Sequence, residues 1–369
     1  MNLRPIKIKT RGEEAVKSLR EKIRRGRIRM VQAVLIQLIP RHERKLIVFL
    51  TPGYNWRVGG IFSIASLYQE SIRMRSIHGA TVVLCTVPGD PRFLRYSWFR
   101  NRNYILRLES VLRHCGQLES LLIHVPEYAV NRLVEWFESD ASRLARKVKQ
   151  VHVNVLLQNI DYVQGQNVAG LQRFGRVSCT TAHEAYSNLA TRKALNVTLH
   201  RLSVYCGPEH YVRSSYEDKE PLLVVSPDQH PLKERILKQI ATACPKLRIQ
   251  IIQGLSYEAY KDLIRRAKWS LTFGEGMDGY FGEPVFSGGV SFAVYNERFF
   301  TPEFAKLQTV YPSWEALEQK ITTDLVRFDN AEIYRERSRD CYELLASLYS
   351  VDKFRDNLRK FYLGDYTFP

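Results

Sequence analysis

The chain has 369 residues, which exceeds the usual size of one hydrophobic core, so two domains are expected. Hydrophobic residues make up 45% and aromatic residues 11%, a composition that fits a well-packed globular protein and excludes a disordered one. The net charge is +17, and residues 1 to 45 hold fourteen Lys or Arg against four Glu. That segment alone carries +10, so the basic character belongs mainly to the amino terminus.

The amino-terminal segment predicts a basic amphipathic helix. Val16, Leu19 and Ile23 recur at helical spacing among arginines, and the pattern continues until Pro40. One interpretation is a helix packed on its own domain with a solvated basic face. The other is attachment of residues 1 to 40 to an anionic membrane surface, where each Lys or Arg contributes on the order of 1 kcal/mol. No nucleic-acid recognition motif accompanies the charge, so no nucleic-acid partner is expected.

The cysteines and apolar runs indicate the compartment. Six cysteines are scattered without a Cys-x-x-Cys pair, which favours buried free thiols in a reducing environment. The start of the chain lacks the apolar core of a signal peptide. The longest apolar stretch, residues 30 to 39, is about half of the roughly 20 residues that a membrane span needs. A cytoplasmic protein is therefore expected.

Strand-like runs alternate with helical patterns along the chain, which predicts an α/β fold with mostly parallel, doubly wound sheets. The runs in the first half are residues 46–50, 80–87, 120–125, 152–158, 176–180 and 199–205. A polar linker, residues 213–220, precedes a second series at residues 221–226, 247–254, 269–273 and 291–295. We expect two Rossmann-like domains with an interdomain cleft, residues 1–212 and 221–350, and a terminal helix within 351–369 that packs back toward the first domain.

A glycine-rich loop between the last two runs carries Glu275 and Glu283, eight residues apart. A carboxylate has two acceptor oxygens and suits a vicinal diol, which both a hexose and a ribose offer. The glycines let backbone amides approach a ligand, and Pro284 is predicted to begin a helix whose amino end favours a diphosphate. The loop predicts a nucleotide-sugar site, with a surface loop of two solvated glutamates as the alternative.

Two motifs resemble those of the B-fold (GT-B) glycosyltransferases, specifically their family 4. One is the paired Gly59 and Gly60 after the first strand, and the other is Glu-Gly-x-x-x-x-x-Gly-Glu followed by Gly288. The specific match covers about residues 267 to 289. In addition, residues 202 to 207 resemble the strand that ends the family's amino-terminal domain. Elsewhere the likeness is one of architecture only. The resemblance implies that Glu275 holds donor-sugar hydroxyls and Glu283 the ribose diol. The backbone of Gly276, Met277 and Asp278 would line the sugar.

The resemblance also assigns two sites in the first domain, each with an alternative. Gly59 and Gly60 would lie near the diphosphate and acceptor, or would simply form a strand-to-helix turn. His124 resembles a histidine that touches the donor sugar, although a histidine at such a position is also common as a core or loop residue.

The chain departs from the family where the diphosphate is neutralised. The family places an arginine after the first strand of the second domain and a lysine about six residues later. Here Lys233 matches the lysine, but Pro227 stands at the arginine position. Arg235 is a candidate substitute, and the amino end of a helix is another.

The sequence therefore predicts a glycosyltransferase, hexosyl- or deoxyhexosyl-, and the family resemblance implies that it retains the anomeric configuration by front-side attack without a carboxylate nucleophile. No Asp-x-Asp and no zinc-ligand spacing is present, so no metal and no cofactor besides the nucleotide-sugar substrate is expected. A glycan or lipid-linked acceptor of bacterial lipopolysaccharide or capsule synthesis is expected, with the enzyme peripheral at the inner face of the plasma membrane. The alternatives are a sugar-nucleotide 2-epimerase and a non-catalytic binding module of the same fold.

Overall fold

Strands of the first half form one parallel sheet in the computed structural model, which describes residues 11–56, 58–97, 103–203 and 208–369. The sheet has seven strands in the order β3-β2-β1-β4-β5-β6-β7. They are β1 (Lys45–Thr51), β2 (Thr81–Thr86), β3 (Ile105–Leu106), β4 (Ser120–Pro126), β5 (Gln150–Leu157), β6 (Arg176–Thr181) and β7 (Thr198–Arg201). Helices of this half are α1 (Arg11–Ile36), α2 (Gly59–Arg73), α3 (Arg75–His78), α4 (Leu108–Cys115), α5 (Val130–Glu138) and α6 (Leu189–Leu195).

The second half forms a five-stranded parallel sheet in the order β12-β11-β10-β8-β9. Its strands are β8 (Glu220–Val225), β9 (Arg248–Ile251), β10 (Ala267–Leu271), β11 (Val290–Val294) and β12 (Val310–Tyr311). The helices are α7 (Lys233–Ala243), α8 (Tyr257–Arg266), α9 (Gly279–Phe286), α10 (Trp314–Phe328), α11 (Ala331–Leu348) and α12 (Val351–Leu363). The prediction of two doubly wound α/β halves is confirmed.

The central strands are apolar throughout because helices cover both faces of each sheet. Residues 46–50 of β1 and 222–225 of β8 are almost fully buried. The two-residue strands β3 and β12 were not predicted, since so short a segment has no recognisable period. Of the run 199–205, β7 ends at Arg201, and residues 204–207 lie outside the described residues.

The order of strands gives each sheet one topological switch point. In the first sheet β1 lies between β2 and β4, and in the second β8 lies between β9 and β10. The chain leaves neighbouring strands in opposite directions at these points and opens a crevice at their carboxyl ends, where ligands of such sheets bind. The loops after β1, β4, β8 and β10 are therefore the places to look for a site.

The terminal helix α12 returns to the first sheet. Phe354 and Leu358 are buried in the same cluster as Phe49 of β1. The guanidinium of Arg355 donates to the carboxylate of Glu70 on α2 at 3.0 and 3.3 Å. The second half of the chain is thus joined to the first by packing and by an ion pair.

The amino-terminal helix α1 has two different apolar faces. Ile28, Gln32 and Ile36 are buried against the first sheet, and the amide of Gln32 donates to the backbone oxygen of Ile105 at 2.8 Å. The opposite face exposes a stripe of four apolar side chains, each 59–65% exposed: Leu19, Ile23, Met30 and Val34. Within the described part of the chain, no helix combines the length and apolarity that crossing a membrane requires. The helix is therefore attached to its own domain and still presents an uncovered apolar stripe.

Candidate active site

Glu275 joins the two halves of the molecule. It lies in the loop after β10, and its Oε1 accepts a hydrogen bond from the side-chain amide of Asn159, which follows β5. Burial raises the pKa of Glu275, the bond from Asn159 opposes this shift, and the charges of Asp228 and Asp161 add to it. A half-buried carboxyl in contact with both lobes is suited to hold a ligand between them.

A buried acid fixes the position of Asn159. The carboxylate of Glu127, after β4, accepts the backbone N–H groups of Gln158 at 3.3 Å and Asn159 at 3.2 Å. The side-chain oxygen of Asn159 accepts the N–H of Asp161 at 2.8 Å, which leaves its amide directed at Glu275. Burial raises the pKa of Glu127 to about 7. Sequence reasoning missed Glu127 and Asn159, although both follow strands that end beside the switch point.

Two further contacts hold the lobes together near this loop. Asp161 forms an ion pair with Arg298, which follows β11. Phe62 in the first turn of α2 packs on Tyr257 at the start of α8, with ring centroids 5.1 Å apart. The two lobes are therefore in contact beside the Glu275 loop.

The backbone of the loop is tightly packed at Gly276. Its φ is +91°, and a Cβ there would lie 2.4 Å from the Phe300 ring. The side chain of Met277 is buried in the core, so only its backbone can face a ligand. Asp278 caps α9, because its Oδ1 accepts the N–H of Phe281 at 3.0 Å. The loop conformation is thus determined by its own packing.

The prediction that Pro284 begins a helix is wrong. Helix α9 begins at Gly279, with Asp278 as its N-cap, and Pro284 is the sixth helical residue. The amino end of α9 therefore already holds a carboxyl group, and burial raises the pKa of Asp278 to about 7. An ionised Asp278 would oppose a phosphate at this end.

Glu283 lies in a recess lined by tyrosines. Burial raises its pKa to about 8, and its Oε2 has no hydrogen-bond partner among the described residues. The hydroxyl of Tyr211 bonds to the Glu283 carboxyl, and it lies 3.1 Å from the hydroxyl of Tyr257. The ammonium of Lys261 lies 5.5 and 5.4 Å from the centroids of these two rings. Sequence reasoning missed this recess, although Tyr257 and Lys261 are one turn apart on α8.

The residues after β8 give the diphosphate little free charge. The ammonium of Lys233 donates to the backbone oxygens of Ser226 and Asp228, at 2.7 Å each, and so ties this loop to α7. Asp228 lies against Gly274, where a Cβ would be 2.8 Å from its Oδ2. Arg235 pairs with Glu318 on α10 and is not brought to the Glu275 loop. Lys233 thus lies beside the loop after β8, and both of these hydrogen bonds go to backbone oxygens of that loop.

His124 lies in the core and not with Glu275. It sits within β4 with 1% of its surface exposed, and its ring stacks on Phe49 with centroids 4.2 Å apart. Phe361 of α12 packs on it at 5.4 Å, and the Asn154 amide lies 3.0 Å from its Nδ1. Burial lowers the pKa of His124 well below its usual value. His124 is therefore packed among core side chains, and its contact with a donor sugar stays a prediction.

Gly60 is connected to the candidate site through one side chain. The Gln158 amide donates to the backbone oxygen of Gly60 at 2.9 Å, and a Cβ on Gly60 would lie 2.3 Å from Gln158 Oε1. Gln158 precedes Asn159, which contacts Glu275. Gly59 is at the first position of α2, and among the described residues nothing lies within 4 Å of where its Cβ would be. The amino end of α2 is therefore connected, through the bond of Gly60 to Gln158, to the residue that precedes Asn159.

In the part of the chain described, no three His, Cys, Asp or Glu side chains come together as a metal site would require. The charge of Asp228 raises the pKa of both Glu275 and Asp278, and the charge of Glu275 raises the pKa of Asp278 further, so the three carboxyl groups lie near one another. Their arrangement suits hydroxyl groups, which donate hydrogen bonds to carboxyl oxygens.

Comparison with known proteins identifies the architecture. No protein-family model matches the chain, and no curated protein matches it. The solved structure of HepE from Anabaena in complex with UDP-glucose is similar, with a TM-score of 0.60 and 11% identity over 86% of this chain and 99% of that one. Sucrose-phosphate synthase from Thermosynechococcus elongatus has a TM-score of 0.54 at 11% identity, covering 87% and 99%. The structure of an α-glucosyltransferase in complex with UDP and DNA has a TM-score of 0.52 at 10% identity, and the match covers 86% of this chain and 99% of that one. At this identity the likeness establishes the fold, which is the B-fold of glycosyltransferases.

Proposed function

We propose that the protein is a retaining glycosyltransferase, of the family 4 type, that moves a hexose or deoxyhexose from a nucleotide sugar to a glycan acceptor. The observation that carries this proposal is the contact of Glu275 with Asn159. It brings a hydroxyl-binding carboxyl group of the second lobe to the carboxyl edge of the first sheet. HepE, which has the same fold, binds UDP-glucose.

The donor would lie along the second sheet. Glu275 would accept hydrogen bonds from the sugar, beside the backbone of Gly276, while Glu283 would accept the ribose diol through its unpartnered Oε2. The rings of Tyr211 and Tyr257 beside Glu283 offer faces for the base. This assignment gives each of the two glutamates one end of the donor.

The diphosphate requires positive groups, and the described residues offer three. The amino end of α2 at Gly59 is open, and a 15-residue helix has a partial positive charge there. Lys261 lies beside Glu283, and Lys233 lies after β8, where two of its three N–H groups bond to backbone oxygens and only the third would be left for a phosphate. Together these groups would supply the positive charge of the arginine whose position Pro227 occupies.

Transfer would proceed on the face of the sugar from which the diphosphate leaves. The acceptor oxygen attacks the anomeric carbon while the bond to the phosphate oxygen breaks, and that phosphate oxygen takes the acceptor proton. Glu275 then acts by positioning and electrostatics, since no covalent intermediate on a carboxylate is needed. No metal takes part in this mechanism.

The acceptor is proposed to be lipid-linked. The exposed stripe of α1 is flanked by arginines, a pattern that binds an anionic bilayer surface. A peripheral enzyme on the cytoplasmic face of the membrane would reach polyprenyl-linked glycans of bacterial lipopolysaccharide or capsule synthesis.

Two measurements test the proposal. A panel of sugar nucleotides is screened by thermal shift, and the binding sugar is then followed into glycan product in wild type, Glu275→Ala and Glu343→Ala. Glu343 is an exposed glutamate on α11 and serves as the control. We expect Glu275→Ala to abolish transfer with its melting temperature kept, and Glu343→Ala to be unchanged. Equal turnover in all three proteins would reject the assignment.

The same assays identify the alternatives. Conversion of the sugar nucleotide without acceptor would indicate a 2-epimerase. A chain that binds a glycan but releases no nucleotide would be a non-catalytic module. The internal bonds of Lys233 and the position of Pro227 are the observations that favour this module.

A further inference from the structure

The loop after β1 displays two aromatic rings to solvent. Tyr54 and Trp56 are 42% and 53% exposed, yet they are ordered against each other, with centroids 5.2 Å apart and planes inclined by 14°. Burial of an aromatic side chain is strongly favourable, so a stacked, exposed pair indicates a binding surface more than a packing residue.

Hydrogen bonds from a neighbouring segment hold this loop in place. The backbone N–H of Gly53 donates to Asp90 Oδ2 at 2.9 Å, and the hydroxyl of Tyr96 donates to the oxygen of Pro52 at 2.6 Å. Asn55 and Ser97 bond to each other twice, at 2.7 and 3.1 Å. The rings are therefore presented by a pre-organised loop, which reduces the entropy lost when a ligand binds.

The loop lies beside the site. It leaves β1 at the switch point of the first sheet and runs into Gly59 and Gly60. Gly60 is bonded to Gln158, and the next residue, Asn159, contacts Glu275. The ring pair is thus carried by the first-lobe loop that leads, through Gly60 and Gln158, to the contact with Glu275.

A flat aromatic face is suited to a sugar ring. The face of an aromatic ring is electronegative, and the C–H groups on one side of a pyranose carry partial positive charge. We infer that Tyr54 and Trp56 form an acceptor platform, on which one pyranose ring of the glycan stacks. The inference rests on the proposed function, because it assigns this face to the acceptor once the donor occupies the second lobe.

The platform can be tested without transfer. All five tryptophans are replaced by 5-fluorotryptophan, and Trp56→Phe assigns the Trp56 resonance. The protein is titrated with chitotriose, maltotriose and methyl α-L-rhamnopyranoside, and separately with phosphatidylcholine–phosphatidylglycerol vesicles. We expect at least one sugar to shift the Trp56 resonance, while buried Trp136 and Trp269 stay unchanged.

Variants identify the partner ring. Tyr54→Ala should weaken binding of that sugar at least tenfold, Tyr54→Phe should retain it within threefold, and Val326→Ala on α10 should have no effect. A Trp56 resonance that no sugar moves, or that only vesicles move, would overturn the inference. This titration contains no donor, so it measures the platform independently of transfer. If the protein binds sugar at Trp56 but transfers nothing, the proposed function is rejected and the platform is retained.

Discussion

The side chain of Asn159 donates a hydrogen bond to Oε1 of Glu275, so one polar contact links the loop after β5 in the first sheet to the loop after β10 in the second. The donor is Asn159 because an ionised carboxylate can only accept. Under the proposed function, a sugar hydroxyl would share Glu275 with this amide, and Asn159 would orient the carboxylate.

Asn159→Ala tests that role. Removing a hydrogen bond to a charged group costs about 1.5–3 kcal/mol, so we expect transfer to fall roughly 10- to 150-fold. The bond opposes the rise in the pKa of Glu275, and its loss should move the acidic limb of the pH–rate profile to higher pH. The measurement is kcat/KM from pH 5 to 9. A merely structural role would lower the rate equally at every pH and lower the melting temperature.

Glu283 predicts an unusual dependence of stability on pH. Burial raises its pKa from 4.5 to about 8, so the folded protein keeps this proton up to about pH 8 while the unfolded chain loses it near pH 4.5. Between these values the unfolded state binds fewer protons, and stability therefore falls as pH rises. Asp278, whose pKa is raised to about 7, acts in the same direction.

Glu283→Gln should remove the larger part of this effect. We expect its melting temperature to rise relative to wild type between pH 5.5 and 8.5, as measured by calorimetry. A ribose diol donates to the ionised carboxylate, so donor affinity of wild type should increase over the same range and that of the variant should not. If the melting temperatures of the two proteins depend on pH in the same way, the pKa of Glu283 is not raised in the folded state.

Gly276→Ala should destabilise the protein. Its φ of +91° is unfavourable for alanine, and the new Cβ would lie 2.4 Å from the Phe300 ring and 3.1 Å from the Val294 oxygen. We expect the free energy of unfolding to fall by about 2–4 kcal/mol in urea titrations. Gly282→Ala is the matched control, since Gly282 is helical and no part of the chain that the structure describes lies within 4 Å of its Cβ position. Equal stability of the two variants would contradict the steric argument.

The architecture could be predicted from the sequence because it depends on local patterns. The strands of both sheets are apolar runs bounded by loops, and their alternation with helices leaves few topologies. The loop from Glu275 to Glu283 could also be located, since glycines and paired acids have a recognisable spacing. The start of α9 could not, because the N-cap function of Asp278 depends on a backbone turn that Pro284 does not reveal.

The partners of the site depend on contacts between distant residues. Asn159 and Glu275 are 116 positions apart, and neither flanking sequence indicates the bond between them. His124 shows the same difficulty, because the ring that covers it, Phe361, comes from a helix near the end of the chain. Lys233 matched the expected spacing, yet its bonds to Ser226 and Asp228 follow from how the loop after β8 folds.

The apolar stripe of α1 predicts a membrane-binding defect without a folding defect. Ile23 and Met30 are 63% and 65% exposed, so Ile23→Ser with Met30→Ser should leave the melting temperature unchanged. Partial insertion of the two side chains is worth about 2 kcal/mol, and the double variant should bind vesicles with 30% phosphatidylglycerol roughly 30-fold more weakly. Val326→Ser is the control, because Val326 is 65% exposed on α10. If the control and the double variant sediment with vesicles equally, or if wild type ignores the anionic lipid, α1 serves only its own domain and the acceptor need not be lipid-linked.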